Sequence, residues 1–167
     1  MVAVAIYVLL GGRSLSEEEK RQKNEISFSG KTGELNESGL LDARIAIKTA
    51  LKYIRPYDGP SRTWFAYQNS LSEGCNRLSA LVSELPASLQ TADLLVDLLL
   101  RMDKKLCTGG VDDSDGAVGG CMEEIVAVLE EFSQADCGCI AAFRKLSGRE
   151  TCFGWKDSLV AITKRAK

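Results

Sequence analysis

From Ser38 onward, apolar side chains recur every three to four residues, which is the spacing of one face of an α-helix. Glycine or proline interrupts this pattern at Pro56, Pro86, Gly109 and Gly148. The pattern predicts helices over residues 38–55, 61–85, 87–106, 118–132, 137–146 and 155–164. We therefore expect an all-α fold, either a single-domain multi-helix bundle or an irregular stack of antiparallel helix pairs, with about six or seven helices.

The residues before Ser38 follow a different pattern. The run from Met1 to Leu10 is apolar but too short to span a membrane, and no lysine or arginine precedes it. A buried strand or a short packed helix is expected there, with a degenerate signal peptide as the alternative. A capping box at Ser16 and Glu19 predicts a polar helix, and residues 26–36 read as a loop. The chain is thus divided into an N-terminal segment, 1–37, and a helical domain, 38–167.

The composition narrows the range of functions. The chain has 21 Lys+Arg against 23 Asp+Glu, and this near-neutral balance does not favour broad nucleic-acid binding. It has no histidine, which excludes serine–histidine and cysteine–histidine pairs and histidine metal sites. Any catalysis would therefore rest on carboxylates, lysine or cysteine, and no complete motif of that kind is present.

Six cysteines are the second chemical feature of the sequence. The chain is long and leucine-rich and does not need disulfides to fold, so we expect reduced thiols and a cytoplasmic protein. Cys137, Cys139 and Cys152 follow a spacing similar to a zinc pattern, but Gly154 stands where that pattern has histidine. Unbonded structural cysteines are the first interpretation. A zinc-binding or redox module built on these three thiols is the alternative.

An acidic turn precedes the helix expected from about Val118. An EF-hand calcium loop with Gly116 at its sixth position would place Val111 at the first position and Met122 at the twelfth, and neither can serve as a ligand. No Lys-Ser/Thr pair follows the glycines, so the turn is not a phosphate-binding P-loop. The sequence therefore predicts a helix-capping turn formed by Asp112, Asp113, Ser114 and Asp115.

Aromatic residues cluster near the start of the predicted helix 61–85. Arg62, Phe65 and Tyr67 are a candidate surface for a peptide or another partner, whereas Trp64 fits the buried stripe. Anchoring of the helix to the core is the alternative role for the cluster.

The region 38–135 resembles the helical region of bacterial proteins that carry a SWIM zinc finger. Residues Asp112, Asp113, Ser114, Gly116 and Gly119 match its DDS-x-G turn. The zinc-binding segment of that finger is absent. The resemblance implies a helical scaffold or interaction domain beside a nucleic-acid-linked module, and it assigns no catalytic residue. We therefore expect a non-catalytic helical domain that binds a protein partner, with no membrane association, no required cofactor and no nucleic-acid binding by this chain alone.

Overall fold

A computed structural model describes residues 34–166 and confirms the all-α prediction. These residues form six α-helices and no strand. The helices are α1 (Glu37–Ala50), α2 (Trp64–Glu84), α3 (Leu89–Thr108), α4 (Ala117–Ala135), α5 (Ile140–Phe143) and α6 (Lys156–Arg165). Short 3-10 turns at Ser61–Thr63, Cys137–Cys139 and Arg144–Leu146 flank α2 and α5. Two helices that the sequence predicts as continuous, 137–146 and 61–85, are thus partly 3-10 in character.

Local capping explains where the helices begin. Asn36 caps α1, because its side chain accepts a hydrogen bond from the Gly39 amide at 2.8 Å. Ser88 and Thr91 form a reciprocal capping box at the start of α3. The helix α1 ends at Ala50, five residues before the predicted stop. Leu51 and Ile54, in the turn that follows, are still buried, so the pattern of buried apolar residues continues past the end of the helix.

The core lies between α2, α3 and α4. α4 packs against both α2 and α3, and α1 covers the other side of α2, while α5 and α6 lie beside α3 and α4. One apolar cluster joins all six helices, and its largest fully buried members are Phe143, Ile54, Leu71, Leu78, Leu95, Leu98, Leu99, Met102, Ile125, Leu129, Leu146 and Leu159. Residues 34–166 therefore share a single hydrophobic core.

The buried face of α1 is narrower than the apolar pattern of the sequence predicts. Leu41 and Ile45 fit that pattern, but their side chains are 56% and 51% exposed. α1 buries only Ala43, Ile47 and Ala50, because it packs at the periphery of the core, mainly against α2. The predictions for Met1–Leu10, for the helix after Ser16 and for the loop before Asn36 lie almost entirely outside the described residues.

A helix that spans a membrane needs about twenty predominantly apolar residues. No helix between residues 34 and 166 is long and apolar enough to cross a bilayer.

Candidate functional site

Two side-chain clusters lie near the start of α2, the end of α3 and the neighbouring C-terminal segment. The first is the aromatic end, defined by Tyr57, Trp64, Phe65, Tyr67 and Asp112. Asp112 joins this cluster together, because its carboxylate accepts a hydrogen bond from the Trp64 indole at 3.0 Å and its amide donates to the Tyr67 hydroxyl at 3.1 Å. The rings of Tyr57 and Tyr67 stack with centroids 4.7 Å apart. The acidic turn thus fastens the start of α2.

Of the three residues predicted to form a candidate surface, Arg62, Phe65 and Tyr67, the structure exposes only the first two. The prediction is wrong for Tyr67, because its side chain is only 5% exposed and its hydroxyl donates to the carbonyl of Arg55 at 2.9 Å. Burial raises the pKa of Tyr67 above its ordinary value, so the hydroxyl remains a donor at neutral pH. Arg62 and Phe65 are exposed, and Phe65 is the most exposed large hydrophobic side chain of residues 34–166, at 75%. Trp64 is half-buried and meets Phe65 edge-on, with centroids 5.1 Å apart.

The acidic turn caps α4 as the sequence predicts, through one residue of the four. The two carboxylate oxygens of Asp113 accept from the amides of Val118 and Gly119 at 2.8 and 2.9 Å, which satisfies two unpaired donors of the first turn. Gly116 takes the N-cap position with a left-handed φ of 73° that suits glycine. The other acidic residues of the turn have different roles.

Asp112 and Ser114 stabilise the turn itself. The Ser114 hydroxyl donates to Asp112 at 2.7 Å, and this bond, with the one from Trp64, holds the pKa of Asp112 below its ordinary value. Asp115 points to solvent and is exposed. The oxygens of Asp112 and Asp113 therefore face N–H and O–H donors of the protein, which is the arrangement of a structural turn rather than of a cation site.

The second cluster, which we call the clasp, joins α3 to the segment before α6. Cys107, in the last turn of α3, forms a disulfide with Cys152, and the bond lies at the surface. Beneath it lies Asp103, one helical turn before Cys107 and only 6% exposed. Its carboxylate accepts from the Trp155 indole at 2.9 Å and from the Cys152 amide at 3.2 Å. A buried carboxylate with two N–H donors and a covalent link thus hold residues 152–155 against α3.

The clasp corrects two expectations about the cysteines. The chain does not carry six thiols, since Cys107 and Cys152 are bonded. The predicted zinc trio is not assembled either, because Cys152 pairs with Cys107, while Cys137 is exposed and Cys139 is buried in the core. Within residues 34–166, the one group of three metal-ligating residue types whose ligand atoms lie within 4.8 Å of one another is Asp103, Cys107 and Cys152. In the disulfide form its sulfurs are bonded to each other and are not thiolate ligands.

Sequence reasoning missed the clasp for two reasons. Asp103 and Cys107 lie four residues apart on one helix, which is a detectable signal, but Asp103 is followed by Lys104 and Lys105 and reads as part of a charged, solvent-facing helix end. Cys152 is 45 residues away along the chain, and six cysteines allow fifteen pairings that the sequence cannot rank.

The surface groove next to the clasp is open and basic. It has a volume of about 410 Å³ and is lined by Leu51, Arg101, Lys104, Lys105, Thr108 and Gly109. Lys105 uses its ammonium group to hold the turn after α1, donating to the carbonyl of Ile54 at 2.7 Å. The polar side chains that line the groove are those of Arg101, Lys104, Lys105 and Thr108, so the groove offers no carboxylate that could act as a base.

The two remaining thiols of the C-terminal region should differ sharply in reactivity. We expect Cys137 to react with iodoacetamide in the native protein and Cys139 to react only after denaturation, because burial raises the pKa of Cys139 to about 11. Alkylation at pH 8 with and without denaturant, followed by peptide mass spectrometry, measures this order. Equal labelling of both thiols in the native protein would contradict the described packing, and a Cys139→Ser variant provides the matched control for assignment.

Comparison with known proteins adds no relative: no protein-family model, no curated protein and no solved structure matches the chain.

Proposed function

We propose that this chain is a non-catalytic helical domain that binds a protein partner at the aromatic end, with Phe65 as the anchor. The observation that carries the proposal is the contrast within four residues of α2. Phe65 is 75% exposed, whereas Tyr67 is buried and Trp64 is held by Asp112. An aromatic side chain left in water costs apolar free energy that a partner's pocket can recover.

The surroundings of Phe65 support a binding role because they are already ordered. The Trp64 ring is fixed by its hydrogen bond to Asp112, and Phe65 packs edge-on against it. Tyr67 anchors the same helical turn to the carbonyl of Arg55. Little conformational entropy is then lost when Phe65 enters a pocket, and preorganised aromatic residues are typical of interface anchors. Arg62, exposed one helical turn before Phe65, supplies a cation at the rim of this surface.

The disulfide bears on where such a domain works. Disulfides persist in oxidising environments and are rare in the cytoplasm. The bond between Cys107 and Cys152 therefore favours an oxidising compartment over the cytoplasmic location expected from the sequence. The proposed partner is accordingly a protein of the same compartment.

Photo-crosslinking tests the proposal and captures the partner in the same experiment. A benzoylphenylalanine probe at position 65, at the start of α2, is compared with one at Leu89, which is 43% exposed and begins α3 shortly after α2 ends at Glu84. The 21 residues of α2 separate its start from its end by about 30 Å. We expect the probe at position 65 to capture one protein that the probe at position 89 does not. Equal capture by both probes, or none by the first, would count against the aromatic end.

Binding of the purified partner then measures the contribution of Phe65. We expect Phe65→Ala to weaken the affinity by roughly 30-fold, because a central aromatic anchor contributes about 2 kcal/mol or more. Leu89→Ala should leave the dissociation constant within about two-fold. Isothermal titration calorimetry of both variants, with circular dichroism to show that each is folded, separates lost binding from lost structure. Equal affinities for the two variants would overturn the assignment of Phe65.

A further inference from the structure

The seam between α2 and α4 contains two cysteines that face each other. Cys75 of α2 and Cys121 of α4 are each 4% exposed, and both are free cysteines in the structure. Each lies on the stripe that its helix directs into the core. Unlike Cys137, neither is open to solvent, so any chemistry they perform is with each other.

Three short contacts show how closely the helices approach at this point. The Cys121 sulfur lies 3.7 Å from the backbone carbonyl oxygen of Cys75, and it lies 3.7 Å from the hydroxyl of Ser79, one turn further along α2. The same hydroxyl donates to the carboxylate of Glu124, one turn further along α4. These contacts place the Cys121 sulfur directly against the backbone of Cys75. The two cysteines are therefore neighbours across the seam between α2 and α4.

We propose that Cys75 and Cys121 form a second disulfide in the oxidised chain and so cross-link α2 to α4. The conditions for it are already indicated by Cys107 and Cys152, since a compartment that maintains a disulfide at the protein surface can also oxidise two cysteines that are neighbours. The cross-link would join helices that already pack against each other in the fold.

The oxidant is a small-molecule or protein disulfide, and the exchange balances in two steps. One cysteine thiolate attacks a sulfur of the oxidant, which forms a mixed disulfide and releases one thiol of the oxidant after protonation. The second cysteine, as thiolate, then attacks the mixed disulfide, forms the Cys75–Cys121 bond and releases the other oxidant thiol. The two cysteines lose two protons and two electrons, and the oxidant disulfide takes them up as two thiols.

The pairing belongs to folding rather than to the folded state. Both thiols are inaccessible once the seam has closed, and the neighbouring Cys121 thiol, together with burial, raises the pKa of Cys75 well above its ordinary value. Little Cys75 thiolate is then present at neutral pH. Oxidation is therefore expected while α2 and α4 are still docking, and it should be many-fold slower when the reduced protein is folded before oxidant is added.

Peptide mapping tests the second disulfide in the full chain. The chain is reduced, unfolded and refolded in a buffer of reduced and oxidised glutathione, and remaining thiols are blocked with N-ethylmaleimide. Cleavage by trypsin and by a protease specific for aspartate places Cys75, Cys107, Cys121 and Cys152 on the separate peptides 63–77, 106–111, 115–135 and 150–156, with Cys137 and Cys139 together on 136–144. Mass spectrometry without reduction should find most of 63–77 linked to 115–135, beside the link between 106–111 and 150–156.

Variants assign the link. Cys75→Ser should abolish the 63–77/115–135 species and leave the other link in place, whereas Cys139→Ser should leave both links unchanged. The proposal is overturned if peptide 63–77 carries maleimide on Cys75 in most of the refolded protein, or if 115–135 is linked mainly to 136–144. The map of the unaltered chain decides the question by itself, so a variant that fails to fold does not obscure the result.

Discussion

Replacing Cys107 and Cys152 together by serine is expected to lower the free energy of unfolding by about 4 kcal/mol, since the bond closes a loop of 45 residues in the unfolded chain. The loop runs from the last turn of α3 to the segment before α6 and contains the whole of α4 and α5. Without the bond, the unfolded ensemble regains that conformational freedom. The melting temperature should fall by roughly 10–20 °C.

Urea unfolding of the oxidised protein and of the double serine variant, followed by circular dichroism, measures this difference. The double variant is preferred to a single one, which would leave a thiol free to exchange with Cys137. Cys137→Ser is the matched control: this residue is exposed and unbonded, and its replacement should change stability by no more than about 0.5 kcal/mol. If the double variant and the control unfold at the same urea concentration, the disulfide does not contribute to stability as the loop argument requires.

The fold was predictable from the sequence because local signals agree with tertiary packing over most of the chain. The stripes of α3 and α4 are long and regular, and the residues that define them, such as Leu95, Leu99 and Ile125, are fully buried. Asp136 caps the turn at Cys137–Cys139 as its position suggests. Where a helix is peripheral, the same rule fails: Ile45 has the helical spacing of a core residue, but no described element packs over it.

The candidate sites were less predictable, because they depend on contacts between distant parts of the chain. Tyr67 and Phe65 are both aromatic and both lie in the first turns of α2, and periodicity alone did not separate the buried ring from the exposed one. The difference is set by Asp112, which lies 45 residues from Tyr67 and holds it through its backbone amide. Of the four acidic-turn residues that the sequence assigns to capping, Asp113 alone accepts from amides of α4, and the contact of Asp112 with the aromatic end could not be seen without the fold.

The clasp and the aromatic end are linked through α3 and the loop that follows it. Cys107 and Asp103 fix the final turns of this helix, and the loop from Gly109 leads within three residues to Asp112. Tyr57 also donates its amide to the carbonyl of Gly110 in this loop, at 3.2 Å. Disruption of the clasp should therefore change the structure of the aromatic end only if the end of α3 frays. The contribution of the clasp to stability is accordingly separate from the structure of the aromatic end.

Asp103→Ala is expected to cost about 2–4 kcal/mol, because it removes a buried charged acceptor from two N–H donors. The Trp155 indole and the Cys152 amide would both lose the acceptor that Asp103, itself 6% exposed, provides. Asp97→Ala is the control: this residue lies on the same helix, is half-exposed, and stands 3.9 Å from Lys145, so its loss should cost no more than about 0.5 kcal/mol.

The same substitution in the double serine variant tests whether the clasp acts as one unit. The disulfide and Asp103 both hold residues 152–155 against α3. Once the disulfide is removed, this segment should detach more readily, and Asp103 should then contribute less to the free energy of unfolding. We expect the cost of Asp103→Ala to fall by about 0.5–2 kcal/mol in the absence of the disulfide, whereas sites that act independently give additive costs. Amide hydrogen exchange should show faster exchange at residues 150–155 in both variants, with α2 still protected. Additive costs would mean that Asp103 stabilises Trp155 without any contribution from the covalent bond beside it.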